Sequence, residues 1–220
     1  VYQPDPRFDP SVDSSRLLDD AAAFNKKLGG RVKYTQNGAY LVENAEEEYL
    51  KDFASKLRTE QELDAWFGPG NWRGIPRFVV EQGSGKLRCC DDGAAGDQNE
   101  ETSAPEKLVL PSAAYPGQVS RLFCAEAAAQ SADLKAEGHK VESSGEDWPD
   151  AYRYKPTRPA EQPLFVVAIV TAEGELRCML MYGCLFGLIG AVFTFNRHPR
   201  LFEAVLRRLA AVPAAMYFDD

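Results

Sequence analysis

Residues 178–195, CMLMYGCLFGLIGAVFTF, are an uncharged and mostly apolar run of 18 residues, and the way the chain buries this run constrains its fold more than any other feature. The length meets the threshold for a membrane-spanning helix, and Gly183 and Gly187 supply the G-x-x-x-G spacing found where such helices pack. Arg177 and Arg197 flank the run without the charge asymmetry that orients a span. Three glycines, at 183, 187 and 190, lower helix propensity through its middle. The run divides more naturally into a β-rich piece ending near Tyr182, a Gly-containing turn and a helix starting near Leu188. That division predicts a buried strand, turn and helix. Its competitor is a non-catalytic, membrane-associated or protein-interaction domain that uses 178–195 as a span or partner surface.

The rest of the composition favours a globular chain. Of the 220 residues 45% are hydrophobic and 26% charged, enough for one core of ordinary size or for two lobes. The net charge of −8 argues against a nucleic-acid surface spread over the whole chain, because phosphate contacts need Lys and Arg. Any such contacts must be local. Five cysteines, at 89, 90, 124, 178 and 184, are odd in number and contain no C-x-x-C pair. They predict reduced thiols packing as small apolar residues in an intracellular protein, with no disulfide framework and no zinc site. No signal peptide is visible at the start, which is Val1 followed by a polar, Pro-rich stretch.

Local signals predict helices over 14–27, stopped by Gly29-Gly30, and over 44–58. A third, short helix opens with the capping box Thr59-Glu60-Gln61-Glu62 and ends at Gly68-Pro69-Gly70. Residues 75–81 and 87–90 read as a β-hairpin around Gly83-Ser84-Gly85, with Lys86 and Arg88 near its tip. A loop over 91–107 and an Ala-rich helix over 117–137 follow. Strands are expected over 164–171 and 176–182, helices over 188–197 and 200–211, and a last strand over 214–218. Helices and antiparallel strands grouped in blocks indicate the α+β class.

Three carboxylate clusters stand out: residues 146–153 (EDWPDAYR), the terminal Tyr217-Phe218-Asp219-Asp220, and Asp91-Asp92. Adjacent aspartates are costly unless something neutralises them. A divalent cation does so, and Mg²⁺ takes one or two protein carboxylates and completes its shell with substrate phosphates. Asp91-Asp92 reads as an ordinary solvated loop pair, whereas Asp219-Asp220 ends a strand-like Ala-Met-Tyr-Phe segment.

Four segments together resemble the motifs of reverse transcriptases. Asp147-x-x-Asp150-Ala151-Tyr152 resembles their first carboxylate motif, and Tyr217-Phe218-Asp219-Asp220, 72 positions on from Asp147, resembles Tyr-x-Asp-Asp. The segment 185–197, with Phe186-Gly187, is similar to their second motif as found in retroelements. Gly85-Lys86-Leu87-Arg88-x-x-x-Asp92 is similar to the fingers hairpin. The four stand in family order and span most of 75–220, whereas 1–74 carries no recognised motif. The resemblance implies a right-hand polymerase: an N-terminal helical region over 1–74 of unassigned role, then fingers and partial palm over 75–220, with an antiparallel palm sheet packed on helices.

The resemblance also implies roles. Asp147 and Asp219 would be ligands of two Mg²⁺ ions (or Mn²⁺), with Asp220 as a third catalytic carboxylate at the primer end. Lys86 and Arg88 would hold the triphosphate of a deoxynucleotide. Tyr152 would lie under the sugar and exclude a ribose 2′-hydroxyl, and Asp150 would stand near the nucleotide. Phe186 and Gly187 would line the templating pocket, where glycine permits close backbone approach. The implied partners are an RNA or DNA template with its primer and no membrane. Basic residues Arg153, Lys155 and Arg158 follow the first motif, and Arg197, Arg200, Arg207 and Arg208 flank the second and its following helix. Leu185 and Val192 depart from the family by replacing two common prolines, and Cys89-Cys90-Asp91 is unusual after the fingers Arg. The expectation is a fragment of a retroelement polymerase, from an active or a decayed copy, whose remaining palm and thumb lie beyond Asp220 and which has little activity alone.

Overall fold

The computed structural model describes residues 4–32, 34–107, 112, 114–130, 145, 147–212 and 214. The chain divides into two compact units, one formed by 1–107 with 150–192 and the other by 108–149 with 193–220. Mixed helix and sheet place it in the α+β class.

The first unit is built on a four-stranded sheet of order β2-β1-β3-β4, where β1 is Gly74–Glu81, β2 Leu87–Asp91, β3 Val166–Val170 and β4 Leu176–Leu180. β1 and β2 form the expected antiparallel hairpin, with Phe78 opposite Cys90 and Val80 opposite Arg88. Gly85, at φ +79°, supplies the left-handed turn residue. β3 and β4 are also antiparallel. The centre corrects the expectation of an antiparallel sheet, because β1 and β3 run parallel from Gly74–Val166 to Pro76–Ala168. Parallel neighbours need a long crossover, and the chain between β1 and β3 provides one.

β3 reads Val-Val-Ala-Ile-Val and is buried throughout, the mark of a strand covered on both faces. Alternation sends Val166, Ala168 and Val170 to one core with Phe24, Leu28, Leu63 and Trp72. Val167 and Ile169 go to the other, with Leu41, Ala45, Met179, Met181 and Leu185. Helices α1 (Ala21–Arg31) and α3 (Glu60–Phe67) thus feed one face, and α2 (Gly38–Leu50) the other.

Packing moved several helix ends away from their local signals. The expected helix over 14–27 is a 3-10 turn, Ser14–Leu18, capped by Asp13, and then α1, which runs through Gly29 and Gly30 to Arg31. Phe24 and Leu28 anchor α1 in the core, and a side-chain carbon at Gly29 would only reach van der Waals distance of Leu176, 3.8 Å. Tertiary contacts here outweigh the cost of two glycines. α2 begins and ends earlier than expected. Asp52, at φ +59°, turns the chain out of the helix, and the next residues run beside β4. There Ser55 N donates to Leu180 O at 2.8 Å, and Arg58 and Cys178 exchange backbone bonds of 2.7 and 2.9 Å. This satisfies the free edge of β4.

α3 follows its local signal. The Thr59 hydroxyl accepts from Glu62 N at 3.2 Å, and the Glu62 carboxylate accepts from Thr59 N at 2.8 Å. Thr59→Ala is expected to cost about 1 kcal/mol, read as a lower urea midpoint at unchanged m-value.

Arg73, buried where the chain enters β1, ties the N-terminal region to the loop after β2. Its Nε donates to Gly96 O at 2.7 Å, its Nη1 and Nη2 pair with Asp20 and Asp97, and its guanidinium carbon lies 3.7 Å from the Phe24 ring centre.

The second unit contains α4 (Ala114–Gln130) and most of α5 (Ile189–Leu209). α5 corrects the expectation of two helices, since it is continuous across Pro199. Phe195 and Phe202, seven residues apart and so on one helix face, both meet Trp148 edge-on at 6.2 and 5.5 Å. That apolar stripe crosses the proline without interruption. The strand expected over 214–218 lies outside the described residues apart from Ala214.

The apolar run 178–195 is divided between β4, a linking turn and α5. Among the described residues, no helix is long and apolar enough to cross a membrane.

Candidate functional site

Asp91 ends β2 on its α2-facing side, opposite Arg77 of β1. Asp91 and Arg77 are buried and Asp92 is half-buried, which corrects the reading of Asp91-Asp92 as a solvated pair. Arg77 Nε donates to Asp91 Oδ1 and Arg77 Nη1 to Glu48 Oε2, each at 2.6 Å. Arg153 completes a four-membered network. Its Nε donates to Glu48 Oε1 at 2.7 Å, its Nη2 to Asp91 Oδ2 at 3.4 Å and its Nη1 to Cys184 O at 3.0 Å. Two guanidinium and two carboxylate groups cancel in charge. Burial alone would lower the Arg77 pKa, but Asp91 and Glu48 outweigh it and hold the guanidinium above its ordinary value. Arg153, one of the basic residues that follow the first motif, is therefore committed inside the protein. Lys155 is also buried, and desolvation lowers its pKa.

The network moors the segment 150–155. Asp150, at φ +54°, is exposed and accepts from Lys51 Nζ at 3.1 Å. The segment lies against Gly183, where any side-chain carbon would fall 2.0 Å from Arg153 O. From this base the Tyr152 ring meets Phe186 edge-on, with ring centres 5.8 Å apart.

Phe186 and Gly187 form a turn against the end of β2. Asp91 N donates to Phe186 O at 3.3 Å. Gly187 has φ +107°, and a side-chain carbon there would fall 2.2 Å from Asp91 O. Only glycine meets both demands. Asn99, from the loop after β2, grips the far side of the turn: its Nδ2 donates to Gly187 O and its Oδ1 accepts from Ile189 N, both at 2.9 Å. Asp92 has a structural task in this loop, accepting from Ala95 N at 2.9 Å and donating its own N–H to Pro76 O at 2.8 Å.

The structure thus brings Tyr152, Phe186 and Gly187 together beside Asp91. Lys86 stands exposed at the hairpin tip, and Arg88 lies half-buried on the hairpin face opposite the network, which it shares with Phe78 and Val80. Asp147 is exposed and belongs to the second unit. Asp219 and Asp220, and with them the pairing of Asp147 with Asp219, lie outside the described residues. Among the described residues no group of three or more His, Cys, Asp or Glu side chains is arranged to hold a metal. Cys178 and Cys184 pack in the interior as expected, Cys89 and Cys90 are half-buried and Cys124 is exposed; burial pushes the Cys89 and Cys178 thiols up to about 12.

Glu48, Arg77, Arg153 and Asn99 are the residues that sequence reasoning missed as a group. Two signals were present. Leu41, Ala45 and Glu48 share one helical stripe, which puts a carboxylate on a core face. Arg77 interrupts the apolar run of β1, where an unpaired charge is rare.

Compared with known proteins, the chain matches no family model and no curated protein.

Proposed function

We propose that this chain is the fingers and part of the palm of an RNA-directed DNA polymerase, which adds deoxynucleotides to a primer by phosphoryl transfer. One observation carries the reading. Three segments distant in sequence, each similar to a reverse-transcriptase motif, meet around one turn: the β2 end at Asp91-Asp92, Tyr152, and Phe186-Gly187. That convergence supports the reading.

In this reading each residue has a task. Lys86 and Arg88, on the hairpin, bind the triphosphate through charge-assisted hydrogen bonds. Tyr152, held edge-on by Phe186, forms the floor under the sugar and leaves no room for a 2′-hydroxyl. Phe186 and Gly187 line the templating pocket. Asp150 positions the segment that carries Tyr152, through Lys51. Asp147 and Asp219 would hold Mg²⁺ with Asp220 beside them; the donors are carboxylate oxygens, the type Mg²⁺ prefers, and Asp147 is exposed to a hydrated ion. Two such ions would stabilise the attacking and leaving oxygens of an in-line transfer. The competing membrane reading needs one apolar helix over 178–195, and that run is shared between β4, a turn and α5.

Primer extension tests the proposal, with the protein expressed in the full reading frame that encodes it. Template-directed incorporation of deoxynucleotides on an RNA template, dependent on Mg²⁺, is the expected result. A folded protein that extends no primer on RNA or DNA rejects it.

A further inference from the structure

The Phe186-Gly187 turn is held from outside by a residue with no place in the motifs. Asn99 lies in the loop after β2, 88 and 90 positions before the two backbone groups it binds. Both ends of its amide are engaged at the turn. Nδ2 donates to Gly187 O and Oδ1 accepts from Ile189 N, so the single side chain fixes the peptide groups on both sides of Leu188. The loop is itself pinned, because Asn99 N donates to Gly93 O at 3.0 Å and Gly96 N to Asp92 O at 3.0 Å. Gly93 allows this closeness: a side-chain carbon there would stand 3.1 Å from Asn99 Nδ2, 3.2 Å from Gly187 O and 2.5 Å from Leu188 Cδ2.

We infer that Asn99 is a positioning residue for nucleotide binding, which holds the Phe186-Gly187 turn, and through Phe186 the Tyr152 ring, in the geometry that receives the incoming deoxynucleotide. The inference rests on the polymerase reading. Gly187, at φ +107°, needs an external restraint if its backbone is to present one surface to a base, since glycine left to itself visits many conformations. One side is restrained by Asp91, through its N–H to Phe186 O. Asn99 supplies the other side, and the two contacts hold the turn between them. A site held within a few tenths of an ångström is what substrate positioning requires. Loss of Asn99 therefore weakens substrate capture more than the chemical step.

The experiment compares wild type, Asn99→Ala and Asn99→Asp in primer extension across deoxynucleotide concentrations, using the protein in its full reading frame. Hydrogen exchange at the Ile189 amide is measured in parallel. Asn99→Ala is expected to raise the KM for deoxynucleotide by about tenfold, to change kcat by less than about threefold, and to speed exchange at Ile189 while the β3 and β4 amides stay protected. Asn99→Asp keeps an acceptor for Ile189 N–H but sets a carboxylate oxygen against Gly187 O in place of the donor, so its KM rises as well. An unchanged KM in Asn99→Ala, or a loss confined to kcat, overturns the inference and leaves the polymerase reading standing. A folded wild-type protein without extension activity overturns both.

Discussion

Replacing Arg77 by alanine is expected to destabilise the first unit by about 3–5 kcal/mol, the cost of removing one partner from a buried ionic network. The Arg77 side chain is fully buried, as is that of Asp91, and Glu48 is nearly so. Without Arg77, two carboxylates face one guanidinium, Arg153, in a site largely removed from bulk water. A chain of this size should lose on the order of 10 °C in Tm. The decisive measurement is a double-mutant cycle by urea denaturation. Arg77→Met combined with Asp91→Asn restores charge balance between Glu48 and Arg153, so the pair should cost clearly less than the sum of the single substitutions. Strict additivity would show that the four groups do not act as one network. The same destabilisation should loosen the Tyr152 segment, which is tethered to the network through Arg153.

Asp147→Asn and Asp219→Asn are each expected to lower primer extension by on the order of 10³-fold, because an amide is a far poorer Mg²⁺ ligand than a carboxylate and the lost stabilisation amounts to several kcal/mol of barrier. Both substitutions are nearly isosteric. Asp147 is exposed, so the Asp147→Asn protein should keep its stability to urea within about 0.5 kcal/mol of wild type. Loss of activity with stability retained is the signature of a ligand role. Extension that survives Asp219→Asn would remove the assignment of Asp219 and Asp147 as metal partners.

The elements legible in the sequence were those whose cause is local. The hairpin over 74–91 follows from two apolar runs and a Gly-Ser-Gly link, and Thr59 with Glu62 makes a capping box that needs no partner beyond four residues. The valine-rich β3 is recognisable because a strand covered on both faces has no polar alternation to keep. Helix ends were less legible. Gly29-Gly30 is a strong stop signal, yet α1 passes through it because Phe24 and Leu28 are already anchored on the sheet. Pro199 is a strong break signal, yet Phe195 and Phe202 both reach Trp148 and keep one helix.

The candidate site divides in the same way. The residue types at Asp147, Tyr152, Phe186-Gly187 and the hairpin Lys86 and Arg88 are readable in order along the chain, as is the partition of 178–195 into strand, turn and helix, since glycine content and apolar length are properties of the segment alone. The meeting of Tyr152 with Phe186, the packing of Gly187 on Asp91, the grip of Asn99 and the pairing of Arg77 and Arg153 with Glu48 and Asp91 are not readable there. A charged or amide side chain carries no local mark of the partner it will find. Burial decides the matter: once the sheet and α2 exclude water, a carboxylate at 91 and a guanidinium at 77 must satisfy each other, and only the tertiary fold brings them within reach.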